Sequence, residues 1–342
     1  MKKTLALCTR YTAKGASSRL RFFDYTDALE KAGFAVEKDC FYPEKYLEKL
    51  YRTGRRDPLC LAGALIKRLC RAHRLPEALW IEYELLPYLP FWAEALLLRN
   101  RRYVLNFDDD IFLRYGQEPN KLDRLTAGAA GVICANDRLL ERVSRHQKNV
   151  LKVPTVVNSA KYRRAAELAA HTTPNHKPVA VWIGTPVTYR YLLDAAEHLR
   201  AMYRERPYVL RVIASANLPP VDGLEMQFFD WSEETEAMLI AEADFGIMPL
   251  PANDAFAGGK SAYKIIQYLA CGLPVIASPV GENCRVITPE CGILASSPEE
   301  WARATNLITD PALHTGAALR GREYSIEQWG PKVADFLRET LY

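Results

Sequence analysis

The sequence has 342 residues, enough chain for two domains that each bury a core. Apolar residues make up 49% and charged residues 25% of it, an ordinary balance for a soluble globular protein. No apolar run reaches the roughly 18 uncharged residues of a spanning helix, and the apolar part of MKKTLALCTRYT is too short for a signal peptide, so a membrane-spanning protein is excluded.

The eight cysteines form no C-x-x-C pair and show no metal-like spacing. Several of them lie in apolar strand or helix contexts, which is typical of reduced core thiols. We therefore expect a cytoplasmic protein.

The net charge of +4 is divided unevenly along the chain. Residues 1–164 contain 31 Lys and Arg against 19 Asp and Glu, a balance of +12, which leaves −8 for the remainder. The first half is therefore expected to carry a basic surface.

The first half alternates short apolar runs with helix-length segments, which predicts a parallel α/β domain. The predicted strands are Thr4–Thr9, Phe34–Glu37, Ala78–Glu82, Tyr103–Phe107, Gly131–Ala135 and Val150–Pro154. The predicted helices are Leu20–Ala32, Pro43–Tyr51, Pro58–Ala72, Pro87–Asn100, Leu122–Ala127 and Arg138–Arg145. Ligands of such sheets bind at the carboxyl ends of the strands, so the loops there are the candidate sites.

The loop after the first strand, residues 10–21, contains one glycine. A dinucleotide-binding turn needs three at fixed spacing, so an NAD-type cofactor is not expected, and no other cofactor is indicated. Ser17 or Ser18 is suited to cap the following helix.

The segment Pro58–Arg74 interleaves leucines with basic residues at helical spacing. Its basic residues are Lys67, Arg68, Arg71 and Arg74. One interpretation is a helix that lies on an anionic membrane surface. The other is a surface helix that packs its leucines on the core and leaves its arginines in water. A nucleic-acid partner is not expected, since no basic–aromatic motif of that kind is present.

Three adjacent carboxylates, Asp108, Asp109 and Asp110, follow the fourth predicted strand. Like charges this close repel, so a cation, sugar hydroxyls or basic neighbours must compensate them. A divalent metal is one option, although successive residues cannot all point at one ion. Glu82, Tyr83 and Glu84 end the preceding strand and are placed to line the same site.

A polar, alanine-rich stretch around Ala165–Lys177 precedes a second α/β series. Its predicted strands are Val179–Ile183, Val209–Ala214, Glu225–Phe228, Phe245–Met248, Val275–Ala277 and Gly292–Leu294. The architecture indicated is two Rossmann-like, doubly wound domains that face each other across a cleft.

Gly258 and Gly259 precede a helix predicted to start near Ser261. Free amides and the helix dipole favour an anion there, and Lys260 and Lys264 add positive charge. The alternative is a first helical turn with two solvated lysines.

Residues 249–281 resemble the donor-binding signature of retaining, nucleotide-sugar-dependent glycosyltransferases of the GT-B fold, in the group 1 or family 4 class. The positions at or near the family pattern are Pro249, Leu250, Asp254, Gly258, Lys260, Tyr263, Lys264, Gln267, Tyr268, Ala270, Gly272, Pro274, Val275 and Gly281. Many members carry two glutamates that contact the donor sugar and ribose. Here Gly259 and Gln267 stand at those positions, as in the branch without the pair, and whether Gln267 replaces the ribose ligand stays open.

The resemblance implies a domain division and a site. The domains expected are an acceptor-side domain at 1–162, a donor domain at 163–323, and a helix at 324–342 that crosses back to the first domain. Catalytic roles are expected for Lys260, Lys264 and Asp109. Donor contacts are expected for Gly184, Thr185, Arg190, Asp230, Trp231, Asp254, Gly258, Gly259, Ser261, Gln267 and Glu282. Acceptor contacts are expected for Ser18, Arg19, Glu84, Asp108 and Asp110.

The resemblance further implies metal-independent transfer of a sugar, with retention, from a nucleoside diphosphate to a glycan or lipid-linked acceptor. Cell-surface polysaccharide assembly at the inner face of the membrane is the setting expected. Two alternatives stay open. Glycosidase-like chemistry with two opposed carboxylates leaves the basic loop unexplained. A catalytically weak nucleotide-sugar-binding subunit of another transferase agrees with the missing glutamate pair.

Overall fold

The computed structural model describes residues 2–53, 55, 57–169, 177–215, 218–252, 261–308 and 310–342. It divides into two compact units. Unit 1 consists of Met1–Thr155 and Ile326–Tyr342, and unit 2 of Val156–Ser325. Across the described residues, no helix combines the length and apolar character needed to cross a bilayer.

Unit 1 contains a six-stranded parallel sheet in the order β2-β1-β3-β4-β5-β6. Its strands are β1 Lys3–Thr9, β2 Phe34–Cys40, β3 Ala78–Glu82, β4 Arg102–Phe107, β5 Gly131–Cys134 and β6 Val150–Lys152. β3 is buried along its whole length, as a central strand covered on both faces must be.

The helices of unit 1 cover this sheet. They are α1 Ala16–Arg21, α2 Thr26–Lys31, α3 Glu44–Thr53, α4 Pro58–Arg71, α5 Phe91–Leu98, α6 Lys121–Gly128 and α7 Asp137–Ser144. The expected helix Leu20–Ala32 is broken into α1 and α2. Phe22 leaves the helical conformation and packs its ring on Trp80, with the ring centroids 4.5 Å apart.

Unit 2 contains a second six-stranded parallel sheet in the order β12-β11-β10-β7-β8-β9. Its strands are β7 Val179–Ile183, β8 Val209–Ala214, β9 Glu225–Asp230, β10 Phe245–Met248, β11 Val275–Ala277 and β12 Gly292–Leu294. The described helices are α8 Ser159–Ala169, α9 Pro186–Asp194, α10 Ala196–Glu205, α11 Glu236–Ala241, α12 Tyr263–Ala270, α13 Asn283–Val286, α14 Pro298–Leu307 and α15 Pro311–Glu323.

The last helix, α16 Ile326–Leu341, packs within unit 1. Gly330 allows it to approach α2, because a Cβ there would lie 2.7 Å from Cβ of Ala28. Nη2 of Arg338 donates to the Ala32 carbonyl at 2.8 Å, and Nδ2 of Asn149 donates to Oγ1 of Thr340 at 3.0 Å. These contacts fix α16 beside the elements formed by residues 26–149.

The basic helix α4 departs from the interpretation that packs its leucines on the core and leaves its arginines in water. Arg68 is buried, with Nη2 2.8 Å from Oδ2 of Asp39 and Nη1 donating to the Leu85 carbonyl at 3.1 Å. Leu59 and Ile66 instead point outward and are 85% and 63% exposed. Arg68 therefore anchors the helix to the core, and an apolar stripe faces outward.

Candidate functional site

Three polar residues follow neighbouring strands of the unit 1 sheet. Arg10 comes after β1, Tyr83 after β3 and Asp108 after β4, and these strands are adjacent. Because the carboxyl ends of parallel strands meet at one edge, the three residues lie close together. The last residue of β3, Glu82, is the centre of the polar network found there.

Glu82 is buried and makes three hydrogen bonds with residues of the loop after β1 and the start of α1. Oγ of Ser18 donates to it at 2.5 Å and the Arg10 amide at 2.6 Å, and Oγ of Ser17 lies 2.9 Å from Oε1. Burial and the nearby charge of Asp108 together raise the pKa of the Glu82 carboxyl to about 7.

A count of hydrogen atoms supports a protonated Glu82. Oγ of Ser17 lies 2.9 Å from Oε1 of Glu82 and 2.7 Å from Oδ2 of Asp108. A serine hydroxyl has one hydrogen, so only one of these contacts is a hydrogen bond from Ser17. The other needs a proton on a carboxyl group. The Tyr83 hydroxyl donates to Asp108. Burial raises the pKa of Glu82, so we assign the proton to Glu82.

A cavity of about 320 Å³ opens beside this network. Its lining, all from unit 1, is Arg10, Tyr11, Ser17, Tyr42, Tyr46, Leu50, Glu82, Tyr83, Tyr88, Asp109 and Arg114. We call it the strand-end cavity. Tyr83 and Tyr88 have φ angles of +62° and +67°, a strained backbone for residues other than glycine. Such strain is common at ligand sites.

The three aspartates of the acidic turn point to different places. Asp108 joins the Glu82 network, Asp109 lines the strand-end cavity, and Oδ2 of Asp110 is 3.0 Å from Nη2 of Arg138. The three carboxylates are therefore in three different surroundings: the Glu82 network, the strand-end cavity and Arg138.

The remaining predicted acceptor residues are buried. Ser18 contacts Glu82, as described, and Arg19 is buried in α1. Glu84 lies in an internal ion pair, with Oε2 2.8 Å from Nζ of Lys121, and accepts a hydrogen bond from Tyr115. Ser18 and Glu84 thus both bind other protein groups in this structure.

In unit 2, Gly184 follows β7 and permits a close approach of Lys264 from α12. A Cβ at Gly184 would lie 2.5 Å from the Trp182 ring and 2.7 Å from Nζ of Lys264. Nζ of Lys264 is 4.0 Å from the Trp182 ring centroid and 3.4 Å from Oγ1 of Thr188. Thr185 caps α9 beside it, so a cation and a helix N-terminus converge. This combination favours an anion.

Gln267 lies inside unit 2. Its Nε2 donates to the Tyr162 hydroxyl at 2.8 Å, and that hydroxyl donates to Oε1 of Glu236 at 2.9 Å. Nε1 of Trp231 donates to the other oxygen of Glu236 at 2.7 Å. Gln267 and Trp231 are both predicted to contact the nucleotide-sugar donor. In the structure both are linked to the buried Glu236 carboxylate, Gln267 through the Tyr162 hydroxyl and Trp231 directly.

Of the other residues predicted to contact the nucleotide-sugar donor, some lie within the described part of the chain and some do not. Arg190 is exposed, and its Nη2 donates to the Tyr191 hydroxyl at 3.0 Å. Asp230 ends β9 in an exposed position, while Ser261 and Glu282 are half-buried at either end of residues 261–282. Four predicted residues lie outside the described part of the chain: Asp254, Gly258, Gly259 and Lys260.

Within the described residues, one group brings three possible metal ligands together. Atoms of Glu118, Asp123 and His146 lie within 4.8 Å of one another. Arg145 lies 3.1 Å from the Glu118 carboxylate and Arg142 lies 3.0 Å from that of Asp123. Arginines already neutralise these carboxylates, so the group is an ion-pair cluster.

Solved structures of low sequence identity share this fold over nearly their whole length. Sucrose-phosphate synthase from Thermosynechococcus elongatus aligns at 16% identity with a TM-score of 0.66, over 99% of both chains. Anabaena Alr3699/HepE in complex with UDP aligns at 13% identity and 0.66, over 98% of this chain and 100% of that one. A UDP-forming alpha,alpha-trehalose-phosphate synthase from Burkholderia xenovorans aligns at 12% and 0.66, over 100% of both. The fold is therefore that of the GT-B glycosyltransferases.

Residues 177–310 match the family described as glycosyl transferases group 1. The matched segment lies inside unit 2 and includes Gly184, Lys264 and Gln267. The chain thus has the GT-B fold, and residues 177–310 of its second unit match the glycosyl transferases group 1. The family resemblance and the fold class predicted from the sequence are confirmed.

Sequence reasoning passed over Arg10, Tyr42 and Arg114 as site residues. Arg10 and Tyr42 each follow a strand directly or within two residues, so the rule that functional loops follow strands could have found them. Arg114 belongs to a short 3-10 helix, Ile111–Tyr115, and only the folded structure brings it to the strand-end cavity.

Proposed function

We propose that the protein transfers a sugar, with retention and without a metal ion, from a nucleoside diphosphate sugar to an acceptor hydroxyl. The observation that carries the proposal is the convergence of Lys264 and the N-terminus of α9 within the matched family segment. The similar protein HepE was solved with UDP and with UDP-glucose, which makes a UDP-sugar the first donor to test.

Stabilisation of the departing diphosphate is the main task of unit 2 in this proposal. Lys264 supplies charge beside the amides of α9, and Lys260, with the amides of Gly258 and Gly259, completes the site by family resemblance. Thr185, Arg190, Asp254, Ser261 and Glu282 remain proposed donor contacts. Attack on the face that the leaving group departs from, with a phosphate oxygen as proton acceptor, fits the branch without the glutamate pair.

Unit 1 then binds the acceptor, a glycan or lipid-linked sugar in cell-surface polysaccharide assembly. Asp109 is the proposed contact to the acceptor hydroxyls, because it lines the strand-end cavity. Asp108 and Ser18 shape the same edge of the sheet through Glu82.

The test is a panel of UDP-, GDP- and ADP-sugars, in which slow hydrolysis of one donor without acceptor is expected. Hydrolysis should survive EDTA, since no metal is proposed, while Asp109→Asn impairs transfer once an acceptor is found. Loss in EDTA with recovery in Mn²⁺ contradicts metal independence. Donor binding with no hydrolysis or transfer favours the alternative of a nucleotide-sugar-binding subunit.

The exposed stripe of α4 supports a peripheral membrane location at the cytoplasmic face. Leu59, Ile66 and Leu69 point outward, and the exposed basic residues Lys67 and Arg71 lie on the same helix. Apolar insertion beside basic residues is the pattern of helices that bind anionic lipid.

Vesicle binding tests this location. The double variant Arg71→Gln/Arg74→Gln should weaken binding to anionic vesicles by about 2 kcal/mol, roughly 1 kcal/mol per basic residue. Arg68 is left intact because it is buried. Arg138→Gln, an exposed arginine elsewhere in unit 1, is the control. Equal binding of all proteins to neutral and anionic vesicles contradicts the membrane proposal.

A further inference from the structure

The guanidinium of Arg10 lines the strand-end cavity. Its Nε is buried and makes no hydrogen bond, and among the described residues its guanidinium enters no ion pair. The Arg10 main chain, by contrast, is fixed, since its amide donates to Glu82 and its carbonyl accepts from the Tyr42 amide at 3.0 Å. A buried N–H group without an acceptor is costly, so this position favours a ligand that brings an acceptor, best an anionic one.

The nearby carboxylates are committed elsewhere. Glu84 is ion-paired with Lys121 at 2.8 Å, and Glu82 makes its three hydrogen bonds with Ser17, Ser18 and the Arg10 amide. Neither forms a direct ion pair with the Arg10 guanidinium among the described residues; burial lowers the pKa of Arg10, and the nearby Tyr11 and Glu84 side chains raise it.

The charges on the cavity lining favour an anion further. Arg114 places a second guanidinium there, and within the described chain it too has no ion-pair partner. Asp109 is the remaining charged carboxylate of the lining, so two positive groups face one negative group.

Tyrosines form the other wall of the cavity. The rings of Tyr42 and Tyr46 stack at 3.9 Å with an interplanar angle of 7°, and Tyr11 stacks on Tyr42 at 5.7 Å. Aromatic walls with a few polar groups are typical of small-ligand pockets of about 300–1,000 Å³. The C–H faces of a sugar ring pack against aromatic rings, and a volume of about 320 Å³ suits one or two sugar units.

We propose that the strand-end cavity binds an acceptor sugar that carries an anionic group, a carboxylate or a phosphate, and that Arg10 binds this group. The word acceptor rests on the proposed function; the anionic sugar site does not. A fork-shaped guanidinium pairs with two oxygens of either anion. A neutral sugar brings no charge to Arg10, whose buried Nε makes no hydrogen bond, and a site built for a charged group discriminates against an analogue that lacks it.

Titrations followed by ligand-observed NMR test the site in the full chain. The probes are glucuronic acid, glucose 6-phosphate, glucose and inorganic phosphate. At least one anionic sugar should bind about 10-fold tighter than glucose and tighter than phosphate, the gain expected from a charge-assisted pair. Which of the two binds tighter identifies the anion. Glucose binding as tightly as both anionic sugars overturns the proposal, and so does phosphate binding as tightly as its sugar ester.

Variants attribute the effect to the lining. Arg10→Gln should abolish the preference for the anionic sugar, Arg114→Gln should reduce it about 3-fold, and Arg124→Gln, an exposed arginine outside the lining, should leave it unchanged. If Arg10→Gln does not fold, the exposed Arg114→Gln still decides. A preference that persists in both lining variants overturns the proposal.

UDP binding by the wild type separates the two proposals. Arg10-dependent binding of an anionic sugar in a protein that binds no nucleotide or nucleotide sugar leaves this site standing and removes the transferase function. Nucleotide-sugar turnover without any preference for anionic sugars supports the transferase function and overturns the anionic sugar site.

Discussion

The two units build their strand-end loops in different ways. In unit 1 the loops are rich in polar side chains that bond one another, with Glu82 linked to Ser17, Ser18 and the Arg10 amide. In unit 2 the corresponding positions offer Gly184, the N-terminus of α9 and the charge of Lys264. The first arrangement is suited to recognising hydroxyls and charges at fixed positions. The second offers backbone amides and a cation held beside them, which suit a phosphate group.

The largest effect is expected where unit 2 depends on a single charge. Lys264→Ala should lower kcat of donor hydrolysis by about 10²-fold, because one preorganised donor to a leaving group contributes about 3 kcal/mol. Steady-state kinetics with the hydrolysed donor measures it. Lys177→Ala, which removes an exposed lysine paired with Glu225, is the control. A turnover equal to that of the control would remove Lys264 from the diphosphate site.

The unit 1 network predicts a pH dependence of stability. Its Glu82 carboxyl has a pKa of about 7 when folded, above the usual 4.5, so the folded state binds the proton more tightly. The resulting stabilisation is complete below pH 4.5 and is lost as the pH rises through 7, a change of about 3 kcal/mol at most. Glu82→Gln imitates the protonated group and should show a smaller fall.

Urea unfolding at pH 5 and pH 8 measures this difference. Glu37→Gln, an exposed glutamate on β2, should retain the fall of the wild type. Parallel curves for the wild type and Glu82→Gln would mean that Glu82 is charged throughout this range. The proton count at Ser17 would then need another carboxyl.

A smaller effect on stability is expected at Gln267, where a variant distinguishes a role in core packing from a contact to the nucleotide-sugar donor. Gln267→Leu should lower the free energy of unfolding by about 1–2 kcal/mol, because the Tyr162 hydroxyl loses a buried partner. Gln227→Leu on the exposed face of β9 is the control. An additional rise in the KM of the donor would support the ribose contact, whereas an unchanged KM assigns Gln267 to the core alone.

The strands of both sheets could be predicted from the sequence because each is a short apolar run between turn residues. Ala78–Glu82 and Val179–Ile183 match the structure residue for residue. Helices were less predictable. Nothing in the periodicity of residues 20–32 reveals that Phe22 packs on Trp80, a ring from a strand 58 positions later.

The site could be predicted where it depends on neighbours along the chain, and not where it depends on distant ones. Asp108 at a strand end was identified, but its partner Ser17 comes from the helix α1. Arg68 was expected on the exposed side of its helix, in contact with anionic lipid or with water, because its ion pair with Asp39 forms only in the folded sheet. Gln267 likewise finds Tyr162 from α8, 105 positions away. Residue spacing predicts one helix or strand at a time, so it cannot predict contacts between residues that are far apart in the sequence.

The position of α16 in unit 1 has a consequence for biosynthesis. Residues 1–155 leave the ribosome first, yet their α2 and β4 contact a helix that is made after all of unit 2. Until then Ala28 and its neighbours lack their cover, whereas residues 156–325 emerge as an uninterrupted segment. Domains usually fold in the order of their synthesis. Here the unit that begins first is completed last, so nascent chains halted before residue 326 should present a finished second unit and an unfinished first one.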